Sequence, residues 1–369
     1  MEEATYLRRT TVLNLRDRDW STFHLTELFD SIQRGKRLKR ADQQQGTIPY
    51  VSSSALNNGV DGFICKADGC RVFYDCISLA NSGSVGSAFY EPFEFVASDH
   101  VTHLKRKGLK KEHYLFLVAT LSKQASNFNF NREINDQRIQ SMQVMLPVDT
   151  LGNPDWQFME DYIREREAIQ IEHCCEFLMK RTADIERERV IDFELNSSSL
   201  FKRNWEAYPI NQIFDIHSGK RLESRKRKPG RRPFIGALDN SNGIAGFVAD
   251  RNSSLDSNIL GVNYNGNGVC LGFYHPYECI FSDDVKRFHL KNNEGNEFIY
   301  LFLKVAIQQQ KSKYGYLYKF NATRMARQSI MLPSTNSGEP DFVFMEAVGR
   351  AITLRLLKRQ MDYINKLSS

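Results

Sequence analysis

Residues 152–160 read Gly-Asn-Pro-Asp-Trp-Gln-Phe-Met-Glu, and residues 338–346 read Gly-Glu-Pro-Asp-Phe-Val-Phe-Met-Glu. The glycine, the Pro-Asp pair and the closing Phe-Met-Glu return in the same order and at the same spacing. An internal repeat indicates the architecture of a chain more reliably than any single short motif. The duplicated block therefore predicts two copies of one structural unit.

The repeat extends outward from this block over nearly the whole chain, so chance does not explain it. Met-Leu-Pro precedes the block in both copies, at 145–147 and 331–333. The other matched pairs, in chain order, are Trp20 with Trp205, 29–30 with 214–215, 35–38 with 219–222, 49–51 with 233–235, 59–63 with 243–247, Val85 with Val269, and 98–99 with 282–283.

The fold class follows from the first part of each copy. A chain of 369 residues is long enough for two domains. Short apolar runs alternate with Gly, Asn and Ser turns, which predicts strands such as 72–74, 77–79 and 93–96. A helix is predicted at about 112–122, with a counterpart at 297–308. We therefore expect an α+β fold, with two repeated mixed α/β domains that each contain a curved sheet.

The second part of each copy predicts a long helix. Residues 159–192 contain neither proline nor glycine and carry a rough apolar stripe among Glu and Arg. The second helix, about 345–367, is shorter. We expect the two helices to pack as an antiparallel pair, although each could instead lie on its own domain. The predicted boundaries are 1–19 (N-terminal extension), 20–155 (first domain), 156–195 (connecting helix), 196–341 (second domain) and 342–369 (C-terminal helix).

Composition favours a cytoplasmic globular protein. Apolar residues make up 41% of the chain, and no apolar run approaches the ~20 residues that span a bilayer. The N-terminus lacks the pattern of a signal peptide. The seven cysteines are irregularly spaced, which is typical of reduced thiols.

The net charge of +6 is modest, but two clusters concentrate it. The first basic loop (34–40) carries five basic residues, and the second basic loop (220–232) carries eight against one acid. Such clusters are often only solvated surface, but matching positions in a repeat favour contact with phosphates. The phosphate-contact candidates are Lys36, Arg37, Lys39, Arg40, Lys220, Arg221, Arg225, Lys226, Arg227 and Lys228.

Two further pairs of segments carry polar side chains at matching positions. The polar turns, 81–84 and 265–268, could present backbone N–H groups to DNA or form ordinary hairpins. A nucleotide site is disfavoured because the glycine patterns lack the required context. The aromatic segments, 127–138 and 314–324, offer Asn and Arg side chains that can pair with base edges, or they could belong to the core. The candidates are Asn81, Ser82, Ser84, Asn127, Asn129, Asn131, Arg132, Arg138, Asn265, Asn267, Tyr316, Lys319 and Arg324.

Catalytic interpretations find little support. The chain lacks the Asp/Asn-Pro-Pro-Tyr/Phe site and the glycine-rich cofactor loop of a DNA amino-methyltransferase. Pro154-Asp155 could open a nuclease motif, but the matching strand is missing and the same Pro-Asp stands at both helix entrances. The eight histidines make no pair at metal-ligand spacing. We predict a chain without a catalytic centre, metal or cofactor of its own.

With these residues in view, the chain resembles the specificity (S) subunits of type I restriction–modification systems, and more closely those of Bcg-like type IIB systems. The resemblance covers about 20–369 and depends on duplicated order rather than on one specific motif. It is carried by 35–38 with 49–52, by the turn 81–85, by 137–139 with 146–147, and by the twice-used block that ends in Phe-Met-Glu.

The resemblance implies two target-recognition domains, each of which binds one half of a split double-stranded DNA target. It also implies helices that act as a ruler and dock methyltransferase or methyltransferase–nuclease subunits, with S-adenosylmethionine and magnesium bound by the partner. A helix of ~34 residues at ~1.5 Å each is near ~50 Å long, enough to set half-sites one turn or slightly more apart. Because the corresponding loops differ in sequence, we expect an asymmetric target.

Two alternatives remain open at this stage. One is a protein-interaction scaffold that binds no DNA, such as an anti-restriction mimic of this subunit, which should be acidic rather than basic. The other is an enzyme whose catalytic residues are too scattered to recognise in sequence. A purified chain that modified or cut DNA alone would establish the second alternative.

Overall fold

The computed structural model describes residues 12–66, 69–129, 131–187, 200, 202–266, 268–315 and 317–368, with side chains described to residue 366. The chain divides into two compact units, Met1–Cys174 and Cys175–Ser369. One long helix runs through this division. The domain boundaries expected from the sequence stay predictions.

The described residues of the first unit form three small sheets. Its elements are β1 (Trp20–His24), α1 (Leu25–Leu28), β2 (Ser31–Arg34), β3 (Gln45–Val51), β4 (Val60–Ile64), β5 (Val72–Phe73), β6 (Cys76–Ala80), β7 (Ala88–Glu91), β8 (Phe95–Ala97), β9 (Val101–Lys105), α2 (Lys111–Gln124), α3 (Asp136–Ser141), β10 (Gln143–Pro147) and the start of α4 (Trp156–Arg187). The strand orders are β2-β9-β6-β7, β4-β3-β8-β5 and β1-β10. All pairs are antiparallel except β3 with β8.

The second unit repeats this topology, except that an isolated bridge between Asp256 and Cys279 stands where the first unit pairs β5 with β8. It contains β11 (Trp205–Pro209), α5 (Ile210–Ile213), β12 (Phe214–Ser218), β13 (Pro229–Ile235), β14 (Ile244–Val248), β15 (Ile259–Asn263), β16 (Gly272–His275), β17 (Ile280–Phe281), β18 (Val285–Leu290), α6 (Glu297–Gln308), α7 (Ala322–Arg327), β19 (Ser329–Pro333) and α8 (Phe342–Ser368). The strand orders are β12-β18-β15-β16, β14-β13-β17 and β11-β19. The predicted α+β class with two repeated mixed domains is confirmed.

Aromatic packing of a helix on a sheet recurs in both cores. The rings of Tyr90 and Tyr114 stack at 5.3 Å between centroids, and those of Tyr274 and Tyr300 stack at 5.4 Å. Tyr114 lies on α2 and Tyr300 on α6, so the same contact fixes the helix on its sheet in each unit. Offset stacking of this kind stabilises beyond the buried area alone.

Most predicted elements correspond to observed ones. The predicted helices 112–122 and 297–308 are α2 and α6. The predicted strand 93–96 was wrong at its start, because β8 begins at Phe95, where pairing with β5 and β3 begins, and Phe93 is 37% exposed. Residues 188–192 of the predicted first long helix lie outside the described residues.

Both long helices begin at the residue after an aspartate that caps them, Trp156 after Asp155 and Phe342 after Asp341, where the predicted helix boundaries 156–195 and 342–369 also begin. The Phe158 N–H donates to Asp155 Oδ1 and the Phe344 N–H donates to Asp341 Oδ1, both at 2.9 Å. A side-chain oxygen at this position satisfies an N–H that the helix itself leaves unpaired. The repeated Pro-Asp is thus a helix start. As expected, α8 is shorter, with 27 residues against at least 32 in α4.

Within the second unit, the end of α4 packs beside α8 and the start of α6. Leu178 and Ile185 are buried, Glu186 pairs with Lys358 at 3.1 Å, and Arg181 pairs with Glu297 at the start of α6. These contacts join the two long helices locally. Their antiparallel arrangement over the full length stays a prediction.

A glycine opens each basic loop because no side chain fits there. A Cβ on Gly35 would overlap the backbone carbonyl oxygen of Ser98, and a Cβ on Gly219 would overlap that of Ser282. The Gly35 N–H also donates to Val101 O at 2.8 Å, and the Gly219 N–H donates to Val285 O at 3.2 Å. The chain therefore leaves the sheet at one fixed point in each unit.

Gly35→Ala should destabilise the first unit by about 1–3 kcal/mol, because the new methyl group must push strand backbone apart. Gly62→Ala is the matched control, since a Cβ at Gly62 meets nothing within 4 Å. Calorimetric melting of the two variants checks this. Equal melting temperatures would contradict the close approach.

Equivalent positions at the ends of β7 and β16 hold a buried acid in the first unit and a buried base in the second. Glu91 is fully buried and accepts from Ser78 Oγ at 2.8 Å, and burial raises its pKa to about 7. His275 is fully buried too, and burial lowers its pKa to about 4. Burial therefore favours the neutral form of both groups.

The stability of the first unit should consequently fall as the pH rises. The folded pKa of Glu91 lies above the ordinary value of 4.5, so its stabilising contribution is present below that value and is lost as the pH rises through about 7. Glu91→Gln should melt higher than the parent at about pH 8 and lose this advantage at about pH 5. Melting curves at both pH values test this, with exposed Glu94→Gln as control; identical shifts in both variants would refute the assignment.

Candidate nucleic-acid interface

The two basic loops adopt one conformation. Each turns through a short 3-10 segment, at Arg40–Asp42 in the first loop and Ser224–Lys226 in the second. The Asp42 N–H donates to Lys39 O and the Lys226 N–H donates to Glu223 O, both at 2.9 Å. The repeat in sequence is therefore a repeat in backbone geometry.

The cations of the second basic loop are partly held by the loop itself. Arg225 and Lys226 pair with Glu223 at 2.9 and 3.1 Å, and their hydrogen bonds hold the pKa of Glu223 below its usual range. Arg227 is half-buried over the Phe234 ring at 4.1 Å. The remaining candidates are exposed, namely Lys36, Arg37, Lys39, Arg40, Lys220, Arg221 and Lys228.

The polar turn of the first unit faces inward. Asn81 is 2% exposed, donates from Nδ2 to Asp99 O at 3.1 Å, and accepts at Oδ1 from Thr102 Oγ1 at 2.9 Å. Ser82 is also buried and bonds the His100 ring, and the Ser84 N–H donates to Ser53 O at 3.0 Å. In this arrangement Asn81 and Ser82 position neighbouring loops rather than face a base.

The turn of the second unit has a similar supporting contact. Asn265 Nδ2 donates to Asp284 Oδ1 at 3.0 Å. Its neighbour Asn267 lies outside the described residues. Both turns thus connect to the residue that precedes the next long strand, His100 before β9 and Asp284 before β18.

The aromatic segments form matching tight turns. Backbone hydrogen bonds join Asn129 to Arg132, and Gly315 to Tyr318. Asn127, Asn129, Asn131 and Arg132 are exposed, whereas Lys319 is half-buried and Tyr316 lies outside the described residues.

Two predicted base-contacting arginines also brace these turns. Arg138 Nη1 donates to Glu133 O at 2.6 Å, and Arg324 Nη1 donates to Lys319 O at 2.7 Å. Arg324 also lies 3.7 Å from the Tyr318 ring centroid. The pair therefore has a structural role that the sequence pattern did not reveal.

The first unit brings its three candidate segments together. The Ile134 N–H donates to Asn81 O at 2.9 Å, which joins the aromatic segment to the polar turn. Arg34 at the edge of the basic loop pairs with Asp136 at 3.3 Å. The basic loop, the polar turn and the aromatic segment of the first unit therefore lie next to one another.

Each unit contains a groove at the same place. The groove lies between the basic loop and the turn before β9 or β18, and Tyr50 or Phe234 is among its lining residues. Eleven lining positions correspond between the two units. The corresponding pairs are Arg37/Arg221, Leu38/Leu222, Lys39/Glu223, Arg40/Ser224, Gln43/Arg227, Tyr50/Phe234, Ser52/Gly236, Asp61/Ala245, Ser98/Ser282, Asp99/Asp283 and His100/Asp284.

Sequence reasoning missed several residues of these grooves. Gln43, Gln44, Gln45, Asp61 and His100 line the first groove, but they form no charge cluster and match no motif. On the groove wall across from the basic loop, only the Ser-Asp pairs at 98–99 and 282–283 were noticed in the sequence, because they are repeated. The missed residues are side chains that differ between the copies, so a search for repeated residues cannot find them.

Two other kinds of site are absent from the part of the chain that the structure describes. There, no group of His, Cys, Asp and Glu side chains is arranged to hold a metal ion. No described helix is long and apolar enough to cross a membrane.

Comparison with known proteins places these features in a family. The profile of the type I restriction modification DNA specificity domain matches twice, at residues 17–173 and 202–362. The specificity subunit S.BcgI of a type II restriction enzyme from Heyndrickxia coagulans is 36% identical over 331 residues, which cover 89% of this chain and 92% of that protein. The S subunit of a type I restriction–modification system from M. genitalium aligns with a TM-score of 0.51 and 16% identity over 96% of this chain and 93% of its own, a likeness of fold.

Opposite changes in the second basic loop should move affinity for duplex DNA in opposite directions. Glu223→Gln frees Arg225 and Lys226, so binding to any sequence should tighten and become more salt-dependent. Lys226→Gln should weaken binding and lower the salt slope by about 1. Fluorescence anisotropy with a random-sequence duplex over a salt series measures both.

Lys291→Gln is the control for these two variants. Lys291 is also paired with an acid, Asp215 at 3.4 Å, but it follows β18 at the end remote from the loop. An equal loss from Lys291→Gln and Lys226→Gln would show that the loop has no special part in phosphate contact.

Proposed function

The chain belongs to the type I restriction modification DNA specificity family, whose members are non-catalytic specificity subunits, and from this premise we propose that each of its units binds one half of a split DNA target. The observation that carries the proposal is the pair of grooves at corresponding positions, each bordered by a basic loop. Cations at the rim would contact phosphates, and polar side chains inside would meet base edges.

The two half-sites should differ in sequence. Conserved geometry with changed side chains is the arrangement expected of two binding sites that share a docking mode but recognise different bases. The first groove offers amide groups at Gln43, Gln44 and Gln45, whereas the second offers the guanidinium group of Arg227 and the carboxylate of Asp284. Amides, guanidinium groups and carboxylates pair with different base edges.

The long helices would set the spacing of the half-sites and bind the catalytic subunits. The 32 described residues of α4 span roughly 48 Å at ~1.5 Å per residue. The α8 helix carries large apolar side chains in solvent, among them Ile352, Leu356 and Tyr363. Exposed apolar groups on one helix are suited to a protein partner.

The partners proposed here are DNA methyltransferase subunits, with or without a nuclease, in the cytoplasm. They would bind S-adenosylmethionine and magnesium and carry out the chemistry. This chain would supply the sequence preference alone.

Selection from a randomised duplex pool tests the proposal directly. The full chain, alone and with a co-expressed methyltransferase subunit, should recover a split motif with a fixed gap and two unlike halves. Sequencing of the bound fraction gives both halves and the spacer in one experiment.

Each other outcome has a definite meaning. Two identical halves would contradict the assignment of different base contacts to the two grooves. Recovery of no motif, even with the partner present, would reject sequence-specific DNA binding in favour of a scaffold.

A further inference from the structure

Building on the proposed function, we propose that His100 and Asp284 are specificity-determining residues that meet opposite hydrogen-bonding groups on the two half-sites. They are 184 residues apart and occupy the same position in the two grooves. One is a ring that can donate, and the other is a carboxylate that can only accept.

The backbone holds both residues in the same place. Each ends a turn that starts at Ser98 or Ser282, and the N–H groups of these serines donate to Val51 O at 3.0 Å and Ile235 O at 2.8 Å. The turn closes with a Val101 N–H to Ser98 O bond and a Val285 N–H to Ser282 O bond, both at 3.1 Å. The two side chains thus start from equivalent points on rigid backbone.

The side chains are also oriented by the neighbouring polar turns. In the first unit, Ser82 Oγ bonds His100 Nδ1, so Nε2 is left for another partner. In the second, Asn265 Nδ2 bonds Asp284 Oδ1 and the Tyr264 hydroxyl is a further partner, and a carboxylate with about four acceptor sites can still accept from a base. A side chain fixed by a supporting hydrogen bond loses less freedom on binding and discriminates better between ligands.

The donor role of His100 follows from its hydrogen bond to Ser82. The Ser82 hydroxyl can donate to Nδ1, and in that tautomer the ring proton lies on Nε2. The His100 side chain is 55% exposed at the groove and therefore accessible. An Nε2–H donor suits the N7 or O6 acceptor of guanine in the major groove.

The acceptor role of Asp284 follows from charge. A carboxylate repels DNA phosphates, so it cannot take part in the phosphate contacts of Arg221, which lines the same groove. It can accept from an exocyclic amino group, on cytosine N4 or adenine N6. The second half-site is therefore expected to present an amino group at the position where the first presents an acceptor.

Reciprocal exchange of the two residues tests this. With the full chain and the randomised pool, His100→Asp should shift one position of one half-site from guanine toward cytosine or adenine. Asp284→His should make the converse change in the other half-site. Each preference should change by about tenfold, and the salt dependence and the untouched half-site should stay as in the parent.

Two further variants separate recognition from structural damage. Ser82→Ala leaves the His100 ring in place but without its supporting hydrogen bond. The base preference at the same half-site position should therefore weaken, and no new base should be preferred. Glu294→His replaces an exposed carboxylate beyond the far end of β18 and should leave both half-sites unchanged.

The outcomes are distinct for the two proposals. If the parent selects a split motif and the exchanges leave it unchanged, or abolish binding while melting temperatures hold, the assignment of His100 and Asp284 is overturned and the proposed function stands. If the parent selects no motif, the proposed function fails and this inference fails with it.

Discussion

The close approach of Gly35 to the Ser98 carbonyl, and of Gly219 to the Ser282 carbonyl, determines where each groove can exist. At this point the basic loop leaves the sheet, and the turn that forms the opposite wall passes directly against it. Because no side chain can separate the two backbones, both walls of the groove are fixed to each other. The loop geometry, the position of the cations and the orientation of the groove residues all depend on this one contact.

This frame, the backbone arrangement that the two units share, could be predicted from the sequence because the residues that determine it are repeated. A residue that must be glycine for steric reasons, or an aspartate that must cap a helix, recurs in both copies, so Gly35 with Gly219 and Asp155 with Asp341 appear in any comparison of the halves. The strand boundary at Phe95 was harder to place, because it depends on where β3 and β5 offer partners, which composition does not encode.

The site was less predictable for a related reason. A polar side chain in a loop can serve the protein or its ligand, and only the folded neighbourhood decides between them. The amide of Asn81 is of a type that can contact a base, yet it forms hydrogen bonds with Asp99 and Thr102 of the same unit. Arg138 and Arg324 each donate to a carbonyl group of their own loop. Conversely, Gln44 and His100 line the groove but belong to no repeat or motif in the sequence.

Duplication also separates what the two units share from what has diverged in each. The shared features are steric and backbone-based, and they tolerate little change. The differing features are side chains that the shared backbone supports but does not need. Examples are His100, which corresponds to Asp284, and Gln43, which corresponds to Arg227. Even the interior follows this rule, since Glu91 and His275 fill corresponding positions with opposite titration behaviour. A fold that confines variation to side chains on a fixed backbone can change the base it recognises without moving the backbone that presents it.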